Sequence, residues 1–358
     1  MKEKLRAEQI TKRYHNVVAL QPTTLSMRDG EFLTLLGPSG SGKTTLLSLI
    51  AGLTEPTGGD IWIDGRRVTD ESSAKRGLGM VFQNYALFPH LSIYENIAFP
   101  LRMRRMGSAE IGAAVRRVLD LVHLSHVAER LPRELSGGQQ QRIALARCIV
   151  YEPSIILMDE PLGALDKNLR EHMQTEIKRL HVELGITILY VTHDQEEALS
   201  MSDRICLMNN ARVEQIGTPA ELYFKPGSVF AASFLGESNI APAKVLSAGA
   251  QTLLGTLGGS TVKVATDSGC RLDDDVNWMV RPERVKLLGE GESHENTRGG
   301  TLMDAVFVGG FTRIAVGLDD GTTLLVKELT SGRPLPERGQ AVRLGWSAAD
   351  VIVLPSGA

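Results

Sequence analysis

One stretch decides the fold that this sequence predicts: Gly37-Pro38-Ser39-Gly40-Ser41-Gly42-Lys43-Thr44-Thr45. The apolar run 32–36 before it predicts a buried strand, and the apolar run 46–51 after it predicts a helix that ends at Gly52. The stretch matches the pattern G-x-x-x-x-G-K-[ST] at every fixed position. Glycines let backbone N–H groups turn toward phosphate oxygens, and the N-terminus of the helix adds positive potential there.

Two side chains of this loop have the chemistry that a nucleotide needs. Lys43 is predicted to reach the β and γ phosphates, and the hydroxyl of Thr44 is predicted to ligate Mg²⁺. The alternative is a chance Gly/Ser loop in front of an ordinary helix. A strand and a helix in register on either side favour the phosphate-binding interpretation, so the sequence predicts a nucleotide-binding α/β domain.

Composition bounds the remaining possibilities. The chain has 358 residues, of which 42% are hydrophobic and 23% are charged, as in a globular protein of one large or two ordinary domains. A net charge of -3 gives no sign of a nucleic-acid partner. The three cysteines are far apart and form no CxxC, so a reduced, cytoplasmic setting fits best. No signal peptide or membrane-spanning run is evident, so a role at a membrane would require docking onto other chains.

A second helix start has the character of an anion site. Ser136, Gly137, Gly138 and Gln139 precede the strong helical run 143–147. An ordinary serine-capped helix is the alternative. A serine cap does not require two glycines, so the pair indicates that something approaches the backbone closely.

Two adjacent acids end a predicted buried strand. Asp159 and Glu160 follow the apolar run 155–158. Side chains at successive strand positions point in different directions, so one acid can anchor Mg²⁺ while the other acts as a base. A solvated strand end would explain one acid but explains two poorly.

Three further candidates are ambiguous when each is taken alone. Tyr14 is either a half-buried strand aromatic or a stacking platform for a purine base. Gln83 follows a predicted strand over residues 77–82 and opens a loop. His193 follows the predicted strand 186–191, where it could cap the next helix or contact a γ-phosphate. Beside the phosphate loop, we favour the γ-phosphate contact.

The rest of the chain predicts two domains. Residues 4–36 predict short strands, and the helical periodicity of residues 92–130 predicts a helical subdomain at about 88–150. Helices near residues 219–224 and 228–235 close a first domain at 1–235. Residues 236–358 show short β-rich runs separated by Gly, Asp and Pro, which predict one barrel or two barrel-like lobes.

Together, these motifs resemble the ATP-binding cassette family of transporter ATPases across residues 4–235. The fold that this resemblance implies is an α/β P-loop NTPase with a RecA-like core and a helical subdomain. The matched positions are the signature Leu135–Gln139, the adenine-stacking Tyr14, the Q-loop Gln83, the catalytic carboxylate Glu160, the D-loop residue Asp166 and the switch histidine His193. One departure is Gly163, where many members carry serine.

The resemblance also implies cofactors and partners. ATP would bind with Mg²⁺, which Thr44, Gln83 and Asp159 would hold directly or through water. Ser136 and Gly138 would complete the site of an opposite subunit in a head-to-tail homodimer, although pairing with a different cassette chain is the alternative. The chain would sit peripherally on the cytoplasmic face of the inner membrane. Transmembrane permease subunits would bind it there, and a solute-binding protein would act through them.

The C-terminal segment carries a looser resemblance. Residues 236–239 and 280–283 are similar to the TOBE-type, OB-like barrel domain of bacterial importers for polyamines, ferric iron and phosphonates. We therefore expect an ATPase that energises the import of a small solute of polyamine type. Ferric iron, phosphonate, sulfate and sugar importers are the alternatives, because the sequence does not fix the solute. A non-transport ATPase of DNA repair or chromosome structure is the alternative of another class, but no heptad run separates Lys43 from Ser136.

Overall fold

The structure is a computed structural model that describes residues 2–248, 252–256, 259–265, 270–330 and 336–356. The chain divides into two compact units, Met1–Pro219 and Ala220–Ala358. Within the described part of the chain, no helix combines the length and the apolar character that crossing a bilayer requires.

The first unit is an α/β structure. Its strands are β1 (Glu3–Tyr14), β2 (Val17–Arg28), β3 (Phe32–Leu36), β4 (Gly58–Ile63), β5 (Arg66–Arg67), β6 (Gly79–Val81), β7 (Ile155–Asp159), β8 (Thr187–Thr192), β9 (Arg204–Asn209) and β10 (Arg212–Gly217). Its helices are α1 (Lys43–Ala51), α2 (Ile93–Met103), α3 (Ser108–Leu121), α4 (Gly137–Ile149), α5 (Lys167–Leu184) and α6 (Gln195–Met201).

A six-stranded sheet with the order β10-β9-β3-β8-β7-β6 forms the centre of this unit. Strands β9, β3, β8, β7 and β6 run parallel to one another, and β10 pairs antiparallel with β9 at the edge. Every residue of β3 and β8 is buried, as expected for parallel strands covered on both faces. One apolar cluster joins the sheet to α2, α3 and α4, and a second joins it to α1 and the N-terminal strands.

The N-terminal strands differ from the sequence prediction. Instead of short runs over residues 4–36, β1 and β2 are 12 residues each and pair in an antiparallel sheet with the order β2-β1-β4-β5. The pairing shifts register between Ala7 and Ile10, where Gln9 has a positive φ of 48°. A bulge of this kind interrupts the in–out alternation, so one long strand looks like two short ones in the sequence.

Helices α2, α3 and α4 lie in the segment for which a helical subdomain is predicted. The side chain of Ser92 caps α2 by accepting a hydrogen bond from the Glu95 N–H at 3.2 Å. Buried apolar residues recur along one face of α3, and Leu119 and Val115 join the core there. Helices α2 and α3 thus occupy the stretch 92–130 that has helical periodicity in the sequence, and the subdomain at about 88–150 stays a prediction.

The second unit is rich in β-structure. It contains the short helices α7 (Pro219–Phe224) and α8 (Val229–Phe234). Its strands are β11 (Asn239–Ser247), β12 (Thr252–Thr256), β13 (Thr261–Val264), β14 (Asp275–Val280), β15 (Lys286–Leu287), β16 (Asn296–Phe307), β17 (Phe311–Leu318), β18 (Thr323–Leu329), β19 (Ala341–Trp346) and β20 (Ile352–Pro355). They form two five-stranded sheets, β13-β12-β11-β14-β20 and β15-β19-β16-β17-β18.

One core joins these two sheets. Trp278 and Trp346 stack in it with ring centroids 5.8 Å apart. The buried guanidinium of Arg281 donates to the carbonyls of Tyr223 at 2.8 Å and Ala232 at 2.9 Å, which ties both short helices to this unit. The change in packing at Pro219 therefore comes earlier in the chain than the predicted domain limit at residue 235, which stays a prediction.

Candidate functional site

Several predicted site residues emerge at one edge of the central sheet. Strand β3 ends at Leu36 beside Thr192 of β8, and Asp159 at the end of β7 pairs with Val191. Because these strands are parallel, the segments that follow them leave the sheet on the same side. The phosphate loop, the two acids and His193 are therefore neighbours, as the sequence predicts.

The phosphate loop closes tightly onto the fold. A Cβ atom placed on Gly37 would lie 2.2 Å from the Met208 carbonyl oxygen and 2.9 Å from Ser41 Oγ, so no side chain fits there. Gly42, with φ 97°, takes the left-handed conformation at the start of α1. No side chain caps this helix start, so its first N–H groups are available to an anion.

Lys43 points back into its own loop. Its Nζ donates to the carbonyl oxygens of Gly37 at 2.8 Å and Pro38 at 2.9 Å, and the residue is only 5% exposed. Burial lowers the pKa of Lys43, while the negative charges of Glu160 and Asp159 act in the opposite direction. A buried ammonium that is held by neutral carbonyls would gain a stronger partner from a phosphate oxygen.

Thr44 and Asp159 form a pair of oxygen ligands. Thr44 Oγ1 donates to Asp159 Oδ1 at 3.4 Å. Burial and then the negative charge of Glu160 raise the pKa of Asp159, whereas the Thr44 hydrogen bond and the charge of Lys43 lower it. A hydroxyl and a carboxylate are the ligand types that Mg²⁺ prefers, and a cation there would relieve the repulsion between the two acids. These residues therefore fit the predicted magnesium site.

Glu160 and His193 are in contact, which the sequence did not predict. Glu160 Oε2 lies 3.1 Å from His193 Nδ1. The backbone of Glu160 is left-handed, with φ 44°, and its N–H donates to Val191 O at 3.0 Å. Asp159 contacts Thr44 and Glu160 contacts His193, so the two acids have different partners. Their division into a metal ligand and a base stays a prediction.

Gln83 lies near the D-loop. It is exposed after the end of β6, and a Cβ atom on Gly163 would lie 3.4 Å from its Nε2 atom. Of the three predicted magnesium ligands, Thr44 and Asp159 are hydrogen-bonded to each other, whereas the side chain of Gln83 lies beside Gly163. A role for Gln83 at the metal stays a prediction.

Tyr14 presents an open ring. The residue is 49% exposed at the end of β1, and Lys12 Nζ lies 4.9 Å from the ring centroid. An exposed aromatic face can stack on a base, and the lysine adds positive charge beside it. The stacking role of Tyr14 stays a prediction.

The signature segment is a capped helix start. Ser136 Oγ accepts from the Gln139 N–H at 3.4 Å, and Gln139 Oε1 accepts from the Ser136 N–H at 3.0 Å. A Cβ atom on Gly138 would lie 2.7 Å from Leu169 Cδ1, whereas Gly137 is exposed. The residue that leaves no room for a side chain at Gly138 is therefore Leu169 of this chain, on α5.

The D-loop is connected to the strand end that carries His193. Asp166 caps α5 by accepting from the Leu169 N–H at 3.0 Å. Arg170, on the first turn of α5, donates to Leu165 O and to Asp194 Oδ2, each at 3.1 Å. Sequence reasoning missed Arg170, since nothing in the local pattern distinguishes it from other helix-surface arginines.

Comparison with known families gives two matches. The ABC transporter family model matches residues 20–163, and the TOBE domain model matches residues 278–354.

Similar chains of nearly equal length are named spermidine/putrescine import ATP-binding protein PotA. The chain from Nitratidesulfovibrio vulgaris is 43% identical over 97% of this chain and 96% of its own length. Those from Rubrobacter xylanophilus and Thermobifida fusca are 42% and 44% identical, over 98% and 97% of this chain and 93% and 92% of their own lengths.

Solved structures agree with the fold of the first unit. The dimeric ATP-binding cassette MJ0796 bound to ADP and Pi is 34% identical, with a TM-score of 0.54 over 60% of this chain and 98% of its own. The cbiO1 protein from Clostridium perfringens, part of the ABC transporter complex cbiONQ, is 28% identical, with a TM-score of 0.58 over 66% of this chain and 93% of its own. The predicted fold class, a P-loop α/β domain followed by a β-rich OB-like domain, is confirmed.

Proposed function

This chain belongs to the ABC transporter family, as an importer ATPase with a C-terminal TOBE domain, and we propose that it powers the uptake of a polyamine such as spermidine or putrescine. The proposal of a polyamine as the solute is supported by the name that is shared by relatives 42% to 44% identical over at least 97% of this chain. Their match extends through the C-terminal unit as well as the cassette.

ATP binding would start at the phosphate loop, which extends from Gly37 to Thr45. The uncapped N–H groups of α1 would bind phosphate oxygens, together with the loop residues Pro38, Ser39, Gly40, Ser41 and Gly42. Lys43 would exchange the carbonyls of Gly37 and Pro38 for the β and γ phosphates. Tyr14 would stack on the adenine.

Hydrolysis would depend on Glu160. Its carboxylate would accept a proton from the attacking water, a step that is typically worth a factor of about 10²–10⁴ in rate. His193 would hold Glu160 in place through their 3.1 Å contact and would contact the γ-phosphate from its exposed side. Because Glu160 has one carboxylate oxygen on His193, the other is available to water.

Mg²⁺ would be held by Thr44 and Asp159, with Gln83 approaching from the Q-loop. When it is bound, the ion neutralises phosphate charge. Asp159 would contribute as a carboxylate, although burial and Glu160 make its proton harder to lose.

The signature residues Ser136, Gly137, Gly138 and Gln139 would serve the nucleotide of a second copy. The start of α4 offers N–H groups but, unlike α1, no lysine. A head-to-tail homodimer would bring each signature to the other phosphate loop, with Asp166 at the same interface. The MJ0796 cassette, which is dimeric in its solved structure, supports this arrangement.

The working complex would include transmembrane permease subunits, and a solute-binding protein would deliver the polyamine to them. The chain would sit peripherally at the cytoplasmic face of the inner membrane. Its cassette would occupy residues 1–235, and a TOBE-like domain would occupy residues 236–358.

The test is transport by the complex that copurifies with the full chain from its native membranes. Reconstituted into liposomes with ATP on the side that the chain faces, it should take up radiolabelled spermidine or putrescine. A complex that contains Glu160→Gln is the control and should not. ATP-driven uptake of ferric iron, phosphonate, sulfate or a sugar in place of polyamines would reject the solute, and recovery of DNA-processing proteins without a membrane chain would reject import.

A further inference from the structure

The turn after Gln83 has an unusual backbone. Tyr85 and Ala86 both have positive φ values, 60° and 47°. Left-handed conformations are unfavourable for residues that carry a Cβ atom, and two in a row are rarer still. Such a turn persists when the surrounding structure holds it in place.

One side chain reaches both residues. Arg147 Nη1 donates to Ala86 O at 2.7 Å, and Arg147 Nη2 donates to Tyr85 O at 2.9 Å. The two nitrogens of a planar guanidinium form a rigid fork, which suits two successive carbonyls. The guanidinium carbon also lies 5.8 Å from the centroid of the Phe88 ring. Arg147 therefore grips the turn at two backbone atoms.

The far end of the same loop has its own anchor. Asn96 is fully buried on α2, where its Oδ1 accepts from the Phe88 N–H at 2.8 Å and its Nδ2 donates to the Phe88 and Leu91 carbonyls, each at 3.1 Å. Asn96 thus holds the backbone of the loop from Phe88 onward. Between Gln83 and Phe88, Arg147 adds its two hydrogen bonds to those that the Tyr85 and Ala86 N–H groups donate to Phe82 O at 2.9 Å and Asn84 O at 2.6 Å.

The position of Arg147 in the fold links the turn to another predicted site. It lies in the last turn of α4, the helix that begins at the signature residue Gly137. A single side chain therefore connects the signature helix to the backbone two and three residues after Gln83.

We propose that Arg147 is a positioning residue for Gln83. By holding Tyr85 and Ala86 in the left-handed turn, it keeps Gln83 at the phosphate edge of the sheet, and it makes the position of Gln83 depend on the signature helix. This inference rests on the proposed role of Gln83 at Mg²⁺. Arg147 itself contacts neither nucleotide nor metal.

The measurement is the apparent Mg²⁺ affinity of the full chain with a non-hydrolysable ATP analogue. It is taken from the rise in unfolding temperature as Mg²⁺ is added. Loss of a partner that orients a metal ligand typically lowers the affinity for the metal about 10–100-fold. We therefore expect Arg147→Gln to lower the apparent Mg²⁺ affinity by about tenfold or more. Arg147→Lys can donate to one carbonyl at a time, so its Mg²⁺ affinity should lie between those of the unmodified chain and Arg147→Gln. It is also the variant to use if Arg147→Gln does not fold.

A matched control lies on the same helix. Arg142 Nη1 donates to Val122 O at 3.3 Å, so Arg142→Gln removes a hydrogen bond from α4 without touching the Q-loop. Its Mg²⁺ affinity should equal that of the unmodified chain, whatever its stability.

A rescue separates positioning from general packing. Glycine adopts positive φ without strain, so Ala86→Gly should restore part of the Mg²⁺ affinity that Arg147→Gln loses. Unchanged Mg²⁺ affinity in Arg147→Gln, or a loss that Ala86→Gly does not reduce, would overturn the proposal. Gln83→Ala distinguishes the two failures. If Gln83→Ala lowers the Mg²⁺ affinity and Arg147→Gln does not, only the inference about Arg147 is wrong. If Gln83→Ala leaves the Mg²⁺ affinity unchanged, the proposed role of Gln83 is wrong as well.

Discussion

The first turns of α1 and α4 are two predicted anion sites that are built differently. Helix α1 has no side-chain cap and begins with Lys43, whose ammonium is buried in the loop. Helix α4 is capped by Ser136 and Gln139, and its first turn has no basic residue. The N-terminus of α1 therefore keeps its N–H groups free and supplies a cation, whereas α4 uses one of its N-terminal N–H groups for a hydrogen bond to its own Ser136 side chain.

The surroundings increase this difference. Lys43 is close enough to Asp159 and Glu160 for their charges to act on its pKa. The two glycines of α4 instead face the apolar side chains of Leu165 and Leu169. In the proposed function, the α1 site would therefore combine phosphate binding with acid and base chemistry, and the α4 site would add hydrogen bonds to a phosphate without supplying groups for hydrolysis.

The largest effect should come from the chemistry beside α1. Glu160→Gln keeps the shape of the side chain but cannot accept the proton of water, so we expect the ATPase rate to fall by a factor of about 10²–10⁴. Lys43 and the start of α1 are unchanged, so binding of a fluorescent ATP analogue should stay within about twofold. Near-normal hydrolysis by this variant would show that the base is another group.

Mixing two inactive variants would test whether the α4 site serves the other copy. Lys43→Ala removes the cation of α1, and Ser136→Arg blocks the start of α4, so each homodimer should be inactive. In a mixed dimer, one composite site carries both changes and the other carries neither. An equal mixture should therefore recover about a quarter of the normal ATPase activity, because half of the dimers have one intact site of two.

The control for this experiment is an equal mixture of Lys43→Ala with Lys43→Ala,Ser136→Arg, in which every site lacks its lysine. It should stay inactive. If the first mixture also stays inactive while the chains exchange freely, each chain uses its own signature and the comparison between α1 and α4 loses its meaning.

A smaller effect should distinguish the glycines of the two sites. A Cβ atom on Gly37 would meet the backbone oxygen of Met208 at 2.2 Å, whereas one on Gly138 would meet the mobile end of Leu169 at 2.7 Å. Overpacking costs about 1–3 kcal/mol, so we expect about 3 kcal/mol for Gly37→Ala and about 1 kcal/mol for Gly138→Ala. Urea unfolding measures both losses, and equal losses would mean that the Met208 carbonyl and the Leu169 side chain resist an added Cβ atom equally.

Local patterns predicted the elements that position the α1 site. The predicted strands 32–36, 155–158 and 186–191 lie within one residue of β3, β7 and β8, which end at the site. These elements are regular and buried, so their apolar periodicity is complete within one stretch of sequence. The long strands β1 and β2 were predicted as short runs, because a bulge at Gln9 breaks that periodicity.

The contacts between distant residues could not be predicted in this way. Glu160 and His193 follow two different strands and are in contact, and the backbone of Glu160 is left-handed there, which no residue pattern indicates. The bonds of Arg147 to Tyr85 and Ala86 cross more than 50 positions of sequence. An arginine in a helix has many possible partners, and only the tertiary fold selects one.

The smallest predicted effect concerns Asp159, whose pKa is raised above its ordinary 3.8 by burial and by Glu160. The folded state therefore binds this proton more readily than the unfolded state does, so the penalty for ionising Asp159 is absent at low pH and complete above its folded pKa. Asp159→Asn removes that penalty and can still accept from Thr44. In EDTA at pH 8 we expect its unfolding temperature to be about 1–3 °C higher than that of the unmodified chain.

The same pair of proteins should reverse order when the site is filled. With Mg²⁺ and a non-hydrolysable ATP analogue, the unmodified chain should gain stability from binding, while Asp159→Asn, which has lost a ligand, should gain much less. The difference in EDTA should also shrink as the pH is lowered through the raised pKa of Asp159, since protonation then removes the charge in the unmodified chain. A lower unfolding temperature for Asp159→Asn in EDTA would mean that the ionised Asp159 stabilises the fold, and the proposed penalty for its burial beside Glu160 would then be wrong.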